Sequence, residues 1–143
     1  MFVTDVTSGG AFPVLEKALA FTEARNRMLA TNVANITTPG YRAKQLDIGA
    51  FQAALRQAAD RQAAGGKFKI EETSEFGTDA AGFLKVRPSE EPVENLLFHD
   101  GTNARIEQQM AGLAQNAMMS QMAAELLKGY YDGMQKAIRG RLR

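Results

Sequence analysis

The chain contains no cysteine and no tryptophan, and only one histidine in 143 residues. Without thiols there is no disulfide and no thiolate metal site, and an oxidising compartment poses no pairing hazard. That permits the periplasm without requiring it. His99 has no cysteine to join in a metal site and reads as a loop or capping residue rather than a base. An excess of charge is missing too: 17 basic residues stand against 16 acidic ones, for a net +1, so the concentrated basic surface of a nucleic-acid binder is not indicated. The one local excess, Lys128, Lys136, Arg139, Arg141 and Arg143, falls at the end of an expected helix, where cations complement the negative end of the dipole. No apolar run approaches the roughly 20 residues that span a bilayer. The N-terminal MFVTDVTSGG has no basic stretch followed by an apolar one. The expectation is residence in the cytoplasm, or export by a route that needs no cleaved signal.

Linear signatures of catalysis are equally scarce. Phosphate-binding loop, dinucleotide fingerprint, nucleophile elbow and zinc spacing are all absent. The adjacent pairs Glu71/Glu72 and Glu90/Glu91 point apart on a helix or strand and make poor acid–base dyads. The reading is therefore a non-enzymatic protein with no catalytic, cofactor-binding or metal residues and no small-molecule substrate.

What is present is helical pattern. With 45% hydrophobic and 23% charged residues, the chain suits one modest domain with one core. Leu15, Leu19, Thr22, Asn26, Leu29, Val33 and Ile36 alternate spacings of four and three, a coiled-coil-like seam with two polar members that would fix register. A rotated helix burying Val14, Ala18, Phe21 and Met28 is the competing arrangement. Pro39 pushes Thr38 out of the helical region, so this helix ends at or before Thr38. Thr38, Pro39, Gly40 and Tyr41 fit a type II turn, with Gly40 taking the positive φ.

A second seam occupies the other end: Ile106, Met110, Leu113, Ala117, Ser120, Ala124, Leu127, Tyr131, Met134 and Ile138. A helix from about Asn103 to Arg139 is roughly 55 Å long, more than a compact domain of this size needs. The shorter first seam covers only part of it. Met118, Met119 and Met122 broaden its apolar face, and gap-filling in a helical core is their commoner role. Gly112, Gly129 and Gly133 each cost about 1 kcal/mol within a helix, which a closely approaching neighbour or a kink would explain. Between the seams, Ile48, Phe51, Leu55 and Ala58 predict a short amphipathic helix from Asp47 to about Ala63, stopped by Gly65 and Gly66. Phe68 and Ile70, then Phe83, Leu84 and Val86, allow one hairpin or small sheet. The surrounding acidic and proline-containing stretch suggests a solvated connector that a partner could order. Thr102 or Asn103 is a plausible cap for the long helix.

The fold expected is mainly α: long N- and C-terminal helices packed as a coiled-coil-like hairpin or bundle, with a short amphipathic helix and a small irregular or β-containing middle. The divisions are 1–13 as leader, 14–37 as N-terminal helix, 38–66 as turn and short helix, 67–101 as middle connector, and 102–143 as C-terminal helix with basic tail.

Two stretches resemble the flagellar basal-body rod protein family, and within it the proximal rod subunit of the FlgB type. One is LATNVANITTPGYRAKQLDIGAF, with its asparagine-rich run, Thr-Pro-Gly-Tyr, basic residues and acidic-aromatic segment. The other is DGTNARIEQQMAGLAQNAMMSQMAAELLKGYYDGMQKAIRGR, which looks like the family's closing helix but departs from it at Thr102, Ala104 and Arg105. The likeness covers Leu15 to Phe51 and Asp100 to Gly140. It implies export without cleavage through the flagellar type III apparatus, polymerisation in the periplasmic rod, and partnership with copies of itself, FlgC-type and other axial subunits, the basal adaptor and the membrane ring. It also implies that Asn32, Asn35, Thr38, Pro39, Gly40 and Tyr41 set the turn and intersubunit contacts, while the two seams pack within and between subunits. The rival class is a self-contained cytoplasmic helical adaptor or export-chaperone-like module, its seams closed on each other.

Overall fold

A computed structural model of the chain describes residues 10–90 and 106–140. His99, Thr102 and Asn103, and the ends of the chain, lie outside the described residues. The architecture is mainly α. Helix α1 (Phe12–Ala34) is followed by strand β1 (Lys44–Gln45), helix α2 (Ile48–Ala63), strands β2 (Phe76–Thr78), β3 (Leu84–Val86) and β4 (Ser89–Glu90), and the long helix α3 (Ile106–Ile138). Strands β2 and β3 form an antiparallel hairpin, and β1 pairs antiparallel with β4.

The helix boundaries have local chemical causes. Pro13 stands in the first turn of α1, where its missing N–H costs nothing. Asp47 caps α2 by accepting from the Ala50 N–H at 2.9 Å. At the other end of α2, Gly65 has φ +87, Gly65 N–H donates to Gln62 O at 3.0 Å and Gly66 N–H donates to Arg61 O at 2.9 Å. That pair of bonds is a Schellman closure, which the left-handed glycine makes possible. Helix α1 ends at Ala34, with Asn35 as its C-cap.

Helix α1 is the central element, with different neighbours on its two sides. One side carries Phe21 and Met28 into a core shared with Leu46, Phe51, Ala58, Ile70 and Phe76. Phe21 stacks on Phe51 with ring centroids 3.9 Å apart, and Phe76 meets Phe51 edge-on at 5.6 Å. The segment read as a connector thus supplies two core side chains, Ile70 and Phe76. Its acidic residues are held as well: Glu71 pairs with Arg61 at 2.8 Å, and Glu72 lies 3.7 Å from Arg87. Glu75 takes the Asp47 N–H at 2.8 Å and the Ser89 hydroxyl, stitching the hairpin to the start of α2.

The other side of α1 lies along α3. The two run antiparallel, since Asn32 near the end of α1 meets Gln109 near the start of α3, while Phe12 meets the Tyr130 and Tyr131 rings at 6.0 and 5.7 Å.

Candidate assembly interface

Asn32 is the pin of the terminal-helix pair. It is fully buried, and its side-chain amide makes four hydrogen bonds. Oδ1 accepts from the Lys44 N–H at 2.9 Å and the Tyr41 hydroxyl at 3.0 Å. Nδ2 donates to Lys44 O at 2.7 Å and to Gln109 Oε1 at 2.9 Å. The exchange with Lys44 imitates a strand-to-strand pairing, so one side chain joins α1, the turn, β1 and α3. An asparagine satisfies all four sites because it carries two donors and two acceptor lone pairs on one planar group. Burial raises the Tyr41 pKa above the ordinary phenol value, which favours the protonated form that donates to Asn32.

The rest of NVANITTPGY builds the reversal. Asn35 Nδ2 donates to Thr31 O at 2.8 Å, closing the last turn of α1. Thr38 N–H donates to Asn35 O at 2.9 Å, and Tyr41 N–H to Thr38 O at 3.1 Å. Gly40 has φ +73, the conformation that the third position of a type II turn demands. Thr38, Pro39 and Gly40 are exposed and Asn35 is half-buried, so this corner of the molecule is open to a neighbour while Asn32 is not.

The α1–α3 seam is polar and close-set. Asn116 Nδ2 donates to Thr22 O at 2.7 Å. Arg25 reaches Gln115 Oε1 at 3.4 Å through Nη2, while its buried Nη1 has no partner among the described residues. Desolvation lowers the Arg25 pKa from its ordinary value. Gly112 sits in close contact with α1: a Cβ there would lie 3.3 Å from Leu29 Cδ2. The side chains that α3 buries are Gln109, Asn116 and Ala123, spaced by heptads. Two of the three are amides.

Along α1, Leu29 is buried and Leu15, Leu19 and Val33 are half-buried, while Ile36 of that seam, half-buried too, lies beyond the helix end at Ala34. Thr22 of the first seam is buried and Asn26 is exposed, while of the rotated arrangement Phe21 and Met28 are buried and Val14 and Ala18 half-buried. Along α3, Leu113, Leu127 and Met134 are half-buried, whereas Ile106, Met110, Tyr131 and Ile138 are exposed. The line that faces α1 runs Gln109, Leu113, Asn116, Ser120, Ala123, Leu127, Tyr130, Met134. It shares every second member with the line of apolar residues, and the remaining members are displaced by one position. Periodicity of apolar residues misses Gln109 and Asn116 because they are polar; their spacing of seven is the signal that marks them. Met118 and Met122 are exposed, and only Met119 of the methionine cluster is half-buried.

Among the described residues, no group of three His, Cys, Asp or Glu side chains is placed to hold a metal ion, and no helix is long and apolar enough to cross a membrane.

No family model matches the chain. It is similar over nearly its whole length to curated proteins named flagellar basal body rod protein FlgB. Identity is 27% with that of Aeromonas hydrophila over 130 residues, covering 91% of this chain and 93% of the relative. With that of Cereibacter sphaeroides it is 28% over 124 residues, or 87% and 90% of the two chains. With that of Bacillus subtilis it is 26% over 132 residues, or 92% and 95%. The resemblance drawn from the two terminal motifs therefore extends through the middle of the chain.

Proposed function

We propose, taking as premise that this chain is a relative of flagellar basal body rod proteins, that it is a structural subunit of the proximal rod, polymerising through its terminal helices to carry torque from the membrane ring toward the hook. The observation that carries this reading is the composition of α3: a 33-residue helix that buries Gln109, Asn116 and Ala123 while exposing Ile106, Met110, Met118, Met122, Leu126, Tyr131 and Ile138. Each large apolar side chain left in water forfeits on the order of 1.5–3 kcal/mol of burial. Such a surface fits a subunit that is completed by neighbours.

In this reading the corner at Asn35, Thr38, Pro39 and Gly40 meets an adjacent subunit, and Asn32 with Tyr41 holds that corner in shape. Neighbours are copies of the chain, FlgC-type and other axial subunits, and at its base the adaptor and membrane ring. The chain reaches the periplasmic rod through the type III export apparatus with no cleaved signal. The mechanism is mechanical: torque passes through many buried helix contacts and no bond is made or broken.

The test uses Met110→Asp and Ile138→Asp. Both side chains are exposed, Ile138 by 83%, so the isolated variants should keep wild-type helix content. Expected are loss of the subunit from purified basal bodies and loss of swimming. Normal incorporation and swimming in both variants would contradict the assignment.

A further inference from the structure

Two faces of α3, one beside its contact with α1 and one turned away from it, differ in shape. On the first face, Leu19, Thr22 and Asn26 of α1 and Ala117, Ser120 and Ala124 of α3 line an open groove of about 570 Å³. On the other face, at the same height, Met118, Met122 and Leu126 follow at spacings of four and are 67%, 60% and 55% exposed. At 3.6 residues per turn the small-residue stripe and the large-residue stripe fall on nearly opposite sides of the helix. We propose that the Met118–Met122–Leu126 ridge of one copy seats in the α1–α3 groove of the next. This deepens the rod-subunit reading and rests on it.

Four observations favour a second copy as the occupant. Side chains at spacings of four form the ridge that packs into a neighbouring helix's groove, and the α3 wall offers it the small Ala117, Ser120 and Ala124, flanked by Glu23 and Gln121. Methionine adapts its shape to such a groove. Asn116 lines the groove, and its buried Oδ1 has no hydrogen-bond partner among the described residues. Beyond Leu126 on the ridge face, a Cβ at Gly129 or Gly133 would meet no atom within 4 Å. Those glycines cost helix stability that no contact among the described residues repays, and they let a neighbouring backbone come close.

Area separates an open assembly from a dimer. The three ridge side chains expose roughly 350 Å² together, the size of an ordinary surface patch, against about 800 Å² per partner in a stable pair. One ridge-to-groove contact is therefore weak. A subunit using its ridge on one neighbour and its groove on another doubles the burial, and a contact between two different patches repeats instead of closing on a twofold axis.

Because the chain has no cysteine, oxidative cross-linking reads the contact directly. The full-length double variant Ala117→Cys/Met122→Cys, concentrated and oxidised, should give a ladder of dimers, trimers and higher species. Neither single variant should do so alone, and an equal mixture of the two should stop at dimers. Efficient dimerisation of Met122→Cys alone would mean ridge against ridge and overturn the proposal. So would the absence of any cross-link, both in solution and in basal bodies that contain the double variant, and that result would leave the rod assignment standing. A ladder from purified chain, with the wild-type protein absent from basal bodies, would instead keep this contact and remove the rod assignment.

Discussion

The two sides of α1 are made of different material. Toward α2 and the β2–β3 hairpin it presents Phe21 and Met28 to a dry, aromatic core. Toward α3 it presents Thr22, Arg25, Leu29 and Asn32, each buried, three of them polar, to Gln109, Gly112 and Asn116. The first side contributes folding free energy, because large apolar surface leaves water there. The second contributes alignment, since buried amides cost desolvation and are rewarded only when their partners stand in one register. The pairing leaves Ile106, Met110, Met118, Met122, Leu126, Tyr131 and Ile138 of α3 exposed.

This contrast can be broken experimentally, starting where the largest effect is expected. Phe51→Ala removes the ring stacked on Phe21 and abutting Phe76, and should lower stability by about 3–5 kcal/mol in chemical denaturation. A loss below about 1 kcal/mol would mean that the dry side is not the source of stability. Next is Asn32→Ala, which strips Lys44, Tyr41 and Gln109 of their common partner and should cost roughly 2–3 kcal/mol. The same measurement on Asn116→Leu should show a change of less than about 1 kcal/mol, since the buried Asn116 Oδ1 has no partner among the described residues and the amide gains little from burial. Equal penalties at Asn32 and Asn116 would erase the distinction between a satisfied pin and a half-satisfied one.

The smallest effect concerns pH. Burial raises the Tyr41 pKa, so the folded state favours the neutral phenol. Its contribution is complete below the ordinary value of 10.0 and is lost as pH rises through the elevated one. Wild-type stability should therefore fall more steeply above that ordinary value than stability of Tyr41→Phe, when denaturation is followed at a series of alkaline pH values. Parallel pH profiles would remove Tyr41 from the Asn32 cluster.

Much of the local structure was legible in the residues. Asp47 and the Gly65–Gly66 pair bound α2, and Pro39–Gly40 make the reversal, because caps and turns are settled by a few adjacent atoms. The polar side of α1 was less so. Asn32 gains its meaning from Lys44 and Gln109, the second of which is 77 positions away, and no local pattern reports such a partner. Helix α3 carries an apolar stripe and an amide stripe at the same period, one position apart. Counting hydrophobic residues finds the first, while the fold turns the second toward α1. Ile70 and Phe76 lie among charged neighbours, and only the three-dimensional closure of the hairpin over Phe51 buries them.

The most direct measurement is hydrogen exchange on the full-length chain across a range of concentrations. In dilute solution the amides of α2 and of α1 around Phe21 and Met28 should be protected, those of α3 beyond Leu127 should exchange rapidly, and protection there should rise as subunits associate. Protection along α3 equal to that of α1 in dilute solution, and unchanged by concentration, would show that the helix is already complete and contradict the account.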